Sequence, residues 1–181
     1  MLPTQDDILL VGVHLPSELN RSDASHDFEC REAADVVREC EVRIGHRRTI
    51  VVGDFNMDPF DSVMVAASGF HAIMDRRIVQ SGSRKVAGKE RPFFYNPMWN
   101  LLGDASRGPP GTFHRARGEH VTYFWHMLDQ ILLRQELLSV FNVDDLQILV
   151  DDGQSQFLKP PGIPDASRAS DHLPILFKLD L

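Results

Sequence analysis

Two apolar runs, ILLVGVHL at residues 8–15 and TIVVGD at 49–54, have the length of buried strands, and the stretch between them is periodic like a helix. In that stretch, residues 22–44, Phe28, Val36, Val37, Cys40 and Ile44 fall mostly on one stripe with charges between them, and Asp23 or Ser25 can cap its start. Further on, Pro59 opens a short helix over 59–68 that Gly69 closes, and residues 71–75 form a short strand. Residues 80–111 read as irregular apart from one helical turn at 97–102. GTFH, VTYFW and the stronger HMLDQILL (126–133) read as strands, 134–140 as a short helix and 146–150 as a strand. A polar, proline-bearing loop at 151–170 leads to a last strand at 172–181, with Pro174 near its start. Helices alternate with strands early and strands dominate later, so an α/β (α+β layered) fold is expected, as one domain over residues 1–181.

Bulk properties narrow the function classes. With 43% hydrophobic and 25% charged residues, the chain of 181 is globular rather than disordered. Acidic residues outnumber basic ones 26 to 19, a formal charge of -7. That argues against coating nucleic acid by bulk electrostatics, but not against touching a few phosphates in one cleft. Cys30 and Cys40 lie on the same expected helix, roughly 15 Å apart in rise, too far for a disulfide. Two reduced thiols fit a reducing compartment, and a cytoplasmic location is the expectation. Residues 1–7 lack a basic region followed by an apolar stretch, so no secretory leader is expected, and no apolar run is long enough to cross a bilayer.

Four strands carry costly polar groups at or near their ends. Asp54 and Asn56, two apart in IVVGDFN, point the same way where the strand stops, although a simple turn uses the same residues. ASDHLP repeats the layout with Asp171 and His172 beside an apolar strand. In HMLDQILL, Asp129 shares a strand face with Met127, Ile131 and Leu133, so its carboxylate needs a partner. A histidine would serve and would have its tautomer fixed in return; backbone amides are the alternative. His14 ends the first strand.

Taken in order, strand-His, G-D-F-N, strand-Asp-Gln and S-D-H-L-P, the motifs resemble the endonuclease/exonuclease/phosphatase superfamily, the fold of pancreatic deoxyribonuclease, from about Ile8 to the C-terminus. The resemblance implies a DNase I-like β-sandwich flanked by helices and a metal-dependent hydrolysis of phosphate esters. It implies Mg²⁺ or Mn²⁺ bound with help from Asp171, since hard oxygen ligands suit such ions. His172 would contact the phosphate or act as a base, oriented by Asp129. Asp54 would position or deprotonate the attacking water, and Asn56 and His14 would donate to the phosphoryl oxygens. Nucleic acid, lipid and small phosphodiester substrates all fall within the resemblance.

The resemblance also implies an earlier strand bearing an asparagine and another bearing a metal-binding glutamate. Glu18, Glu29 and Glu32 all follow His14, so none takes that place. The chain therefore reads as a C-terminal portion, incomplete at its N-terminus, or as a natural short form. A rival class is a non-catalytic relic serving as a binding or assembly module, or a half-enzyme completed by another chain. Apolar faces left open by absent strands lead to an expectation of self-association. GSRKVAGKE fails as a phosphate-binding glycine loop, because Gly82 to Gly88 is one residue too long and no Ser or Thr follows Lys89. Phe93, Phe94, Tyr95 and Trp99 form either a local mini-core or a platform for bases or lipid. His114, His120 and His126 have no zinc spacing and read as part of a hairpin.

Overall fold

A computed structural model describes residues 7–17, 23–103, 105–106, 108–116 and 120–181. Glu18, Ser22 and the side chain of Asp23, which enter the readings above, lie outside the described residues. In chain order the elements are β1 (Leu9–His14), α1 (Asp23–Ile44), β2 (Thr49–Asp54), α2 (Ser62–Val65), β3 (Ala72–Ile73), α3 (Arg76–Val79), β4 (Ser83–Val86), β5 (Lys89–Pro92) and β6 (Phe94–Tyr95). They are followed by β7 (Phe113–His114), β8 (Trp125–His126), β9 (Asp129–Arg134), β10 (Gln147–Ile148), β11 (Leu158–Lys159), β12 (Ile163–Pro164) and β13 (Ile175–Leu176). Short 3₁₀ turns at Pro97–Leu101, Gln135–Val140 and Val143–Asp145 join them.

The central sheet has five strands in the order β1-β2-β9-β6-β3 and is mixed. β1 runs parallel to β2, and β9 lies antiparallel to both β2 and β6. Alternation along the strands sorts side chains between two cores. Val51 and Leu132 face α1, where Cys30, Ala34 and Val37 meet them with Phe55, Phe70 and Phe94. Ile50, Ile131 and Leu133 face the other way, onto Leu137, Leu138, Phe141, Ile148 and Leu173. That second layer contains the two-stranded pairs β7-β8 and β10-β13 rather than one continuous sheet. Cys30 and Cys40 are free thiols, and burial pushes the Cys30 thiol up to about 12. No helix among the described residues is long and apolar enough to cross a membrane.

Several elements differ from the sequence expectation, each for a local reason. Residues 80–111 are not irregular throughout: β4 and β5 make a hairpin across Ala87-Gly88. Both turn residues have positive φ, 50° and 78°, as a two-residue hairpin turn requires; alanine in the first place hides the usual signal. The helix expected at 59–68 shrinks to α2. Asp58 N–H bonds Asp61 Oδ2 at 2.8 Å and Asp61 N–H bonds Asp58 O at 3.0 Å, so residues 58–61 form a turn. The strand expected at 126–133 breaks after His126, because Met127 N–H is taken by the Asp58 carboxylate at 2.7 Å. Only Ile175–Leu176 of the last expected strand pair with β10. Phe93 and Tyr95 are buried in one core and Phe94 in the other, so this stretch joins the main cores instead of forming a mini-core of its own, and Trp99 is partly buried against Phe60.

One buried ion pair pins the helix layer to the sheet. Arg134, at the end of β9, bonds Glu41 of α1 through Nε at 2.8 Å and Nη2 at 3.0 Å, and donates to Phe93 O at 3.0 Å. Its guanidinium lies 3.6 Å from the centre of the Phe94 ring, and both charged residues are buried. Removing one partner leaves the other charge desolvated and alone. We therefore expect Glu41→Gln or Arg134→Met to lower stability by about 3–5 kcal/mol in urea unfolding. The double replacement Glu41→Leu with Arg134→Met should recover much of that loss; a loss equal to the sum of the singles would contradict this account.

Candidate active site

The polar strand ends meet through register. On the sheet, His14 pairs with Asp54, and Asp54 pairs with Asp129, so the three stand side by side across β1, β2 and β9. Residues directly opposite in a ladder share a face. Asp54 shares its face with Val52 and Ile50, and Asp129 with Ile131 and Leu133, so the row opens between the sheet and the second layer. His172 arrives from that second layer, and its Nδ1 lies 2.8 Å from Asp129 Oδ2. The two bonded residues are 43 apart in sequence.

The turn after β2 is built around Asp54. Its Oδ1 accepts Asn56 N–H at 2.8 Å, an Asx turn, and Asn56 sits at φ 50°, a conformation asparagine tolerates. The Asn56 side-chain amide donates to Leu15 O at 2.7 Å and to Asp54 Oδ2 at 3.1 Å. Both the turn and the converging pair expected from the sequence are thus present, with the amide aimed at Asp54 itself. Gly53 lets the strand make this tip: at φ 143°, a Cβ there would stand 2.0 Å from Val13 O.

Supports that the sequence did not advertise hold the cluster from behind. Buried Thr112 accepts Asp129 N–H on its hydroxyl at 3.0 Å and Leu173 N–H on its carbonyl at 2.8 Å, tying β9 to the His172 segment. Phe113 bridges to His172 in backbone register, with rings 4.8 Å apart. Buried Gln130 donates to Met57 O at 2.6 Å and accepts from Asn96 at 2.7 Å, which fixes the loop after Asn56. Thr112 and Phe113 both lie in GTFH, a stretch read as strand without any functional signal attached.

Two carboxylates and one imidazole share the rim, and the mixed α/β fold that carries them has a solved counterpart. The chain is similar in fold to a DNA-bound 3′ phosphatase. That structure, the 3′ phosphatase NExo from Neisseria bound to a product DNA hairpin, matches with a TM-score of 0.51 at 14% sequence identity. The match covers 95% of this chain and 61% of that protein's length. At this identity the likeness is one of fold alone, and it agrees with the mixed α/β layering expected from the sequence. No protein-family model matches the sequence, and no curated protein matches it.

Asp54, Asp129 and His172 each offer one ligand atom, all within 4.8 Å of one another. Two hard carboxylate oxygens fit a divalent cation, and the imidazole joins them only in its neutral form. Asp171 is exposed next to His172 and is not one of those three, and His14 is exposed at the end of the row. The charges are set by the surroundings. Burial raises the Asp54 carboxyl above its ordinary value; Asp129 raises it further, while the Asn56 amide, His172 and His14 oppose. The bond to Asp129 raises His172, with Asp54 and Asp171 adding to it and burial opposing.

A raised folded value means that His172 binds its proton more tightly in the folded protein. Its contribution to stability is complete at pH below the unfolded value and fades as pH climbs through the folded one. In a histidine NMR titration His172 should therefore titrate above the ordinary 6.5. Asp129→Asn should bring the midpoint down while leaving the fold intact; an unchanged midpoint would show that Asp129 does not hold the imidazolium.

Proposed function

We propose that this chain carries the catalytic cleft of a divalent-metal-dependent hydrolase of phosphate esters. The observation that carries the reading is the 2.8 Å Asp129–His172 bond beside Asp54, in a row set by backbone register. The fold likeness to a 3′ phosphatase bound to DNA supports a phosphoester substrate, and nucleic acid as its first candidate. Mg²⁺ or Mn²⁺, held by the carboxylates of the rim with Asp171 as a further ligand, would neutralise charge on the phosphoryl oxygens.

The opposed environments of the two titratable groups support a division of labour. Asp54, whose burial makes it a stronger base than an ordinary carboxylate, takes a proton from the attacking water. His172, whose proton Asp129 helps to hold, faces the phosphoryl oxygens and stabilises the charge that builds on them. His14 borders the same cleft from β1. Asn56 acts on Asp54: its backbone N–H and side-chain amide each donate to the carboxylate and hold it at the rim, so we assign it a positioning role.

The test is hydrolysis of a generic phosphodiester and of DNA, with Mg²⁺, with Mn²⁺ and after chelation. Asp54→Asn should lower kcat by about 10²–10⁴ as for a lost general base, with little change in KM. Turnover that survives this change, or that ignores the chelator, would reject the reading. A second proposal concerns assembly. Leu10 of β1 is 64% exposed on the edge strand, and Val36 and Val42 of α1 are exposed as well, an arrangement that favours self-association. Light scattering across a concentration series should give a mass above 20.5 kDa; a monodisperse monomer at high concentration would refute it.

A further inference from the structure

A second aspartate–histidine pair stands outside the Asp54–Asp129–His172 cluster. His126 ends β8, and its Nδ1 lies 2.7 Å from Asp58 Oδ2. Asp58 is buried just beyond the GDFN turn, and its other oxygen accepts Met127 N–H at 2.7 Å. The carboxylate is thus locked in place, and it orients the imidazole. Among the described residues the ring makes no other hydrogen bond, and its side chain is 24% exposed, so Nε2 is the edge available to a ligand.

Backbone register relates this pair to the cleft. Phe113 pairs with His126 on one side and bridges to His172 on the other. The three side chains therefore form one row on one face, with the two imidazoles two strand spacings apart, about 10 Å. The Phe113 ring lies between them, 4.8 Å from the His172 ring and 6.4 Å from that of His126. Two imidazoles, each backed by a carboxylate, flank one aromatic surface.

We propose that His126, held by Asp58, is a second phosphate-binding point, which grips a phosphate neighbouring the one hydrolysed and makes the substrate a nucleic acid strand rather than a lone phosphoester. The inference rests on the hydrolase reading of the cleft. Three physical points support it. The Asp58 bond raises the imidazole's affinity for its proton and Asp61 adds to this, while burial and Arg115 oppose, so the ring donates from Nε2 as a cation over a wider pH range. An apolar ring between two imidazoles matches a nucleotide, whose base stacks on aromatic faces while its phosphates lie to either side. A pyrophosphate is too short to span that gap. Two localised imidazole donors also suit a chain of net charge -7, which cannot hold nucleic acid by bulk charge.

The test compares two substrates. With Mg²⁺ or Mn²⁺ supplied, H126Q should raise KM for a short single-stranded oligodeoxynucleotide about tenfold, the scale of a lost hydrogen bond to a charged group. It should raise KM for bis(p-nitrophenyl) phosphate far less. H126R, which keeps the charge, should restore much of the oligonucleotide KM. An equal effect on both substrates, or none, overturns the proposal and leaves the pair a structural tie between β8 and the turn after β2. Binding is read separately from turnover by titrating a phosphorothioate oligodeoxynucleotide and following imidazole ¹⁵N signals. The His126 signals should shift, and the salt dependence of binding should fall by about one phosphate contact in H126Q. If nothing is hydrolysed while His126 still responds, the hydrolase reading fails and the binding point stands. If hydrolysis proceeds while His126 is silent, the binding point fails alone.

Discussion

Strand register is the constraint on which the rest of this structure depends. Six pairs join β1 to β2 and five join β2 to β9, and both ladders end on polar residues at the same level. A slip by one residue would turn every side chain of a strand to the opposite face. Asp54 would then enter the helix-facing core and Val51 the cleft. The alternation of Ile50, Val51 and Val52 between two apolar cores therefore does two jobs. It provides the burial that forms the sheet, and it sets the carboxylates on one side of it.

The second layer meets this row with one of its own. His126, Phe113 and His172 stand across three segments separated widely in sequence, and the Asp129–His172 bond closes the two rows against each other. Thr112 and Asp58 are the fasteners. Each takes a backbone N–H from the β8–β9 region, Asp129 in one case and Met127 in the other. A buried polar side chain that satisfies a neighbouring strand in this way avoids its own desolvation cost and fixes geometry at once. The pair Arg134–Glu41 does the same at the opposite end of β9, so this strand is held at both ends by charged or polar contacts and along its length by packing.

Much of the local structure was legible. The strands at β1 and β2 and the long helix between them are present, as is the helical turn near Pro97, but the helix buries Cys30, Ala34, Val37 and Glu41 rather than the expected stripe, of which Phe28, Val36 and Ile44 are exposed. What escaped was structure decided by backbone donors and by turn geometry. The β4–β5 hairpin turns on Ala87 at positive φ, which alanine does not announce. The helix after Pro59 was cut short by Asp58 and Asp61 exchanging bonds, a contact that helical spacing does not encode. Of the site, Asp54, Asn56, Asp129 and His172 were marked by polar residues at strand ends, and these four meet. Asp58 and His126 were not marked, since neither stands alone on an apolar face.

By itself, the sequence determined which residue types lie at the strand ends and which face of each strand is apolar. Both follow from periods of two or of 3.6 residues, which are local. Only the tertiary structure decided that residues 43 and 68 positions apart become hydrogen-bonded pairs, and that Arg134 reaches Glu41 from 93 positions away. Such contacts depend on strand order and register, which arise when the two cores close and every buried polar group competes for a partner. That competition is settled across the whole fold, and no short window of sequence contains its terms.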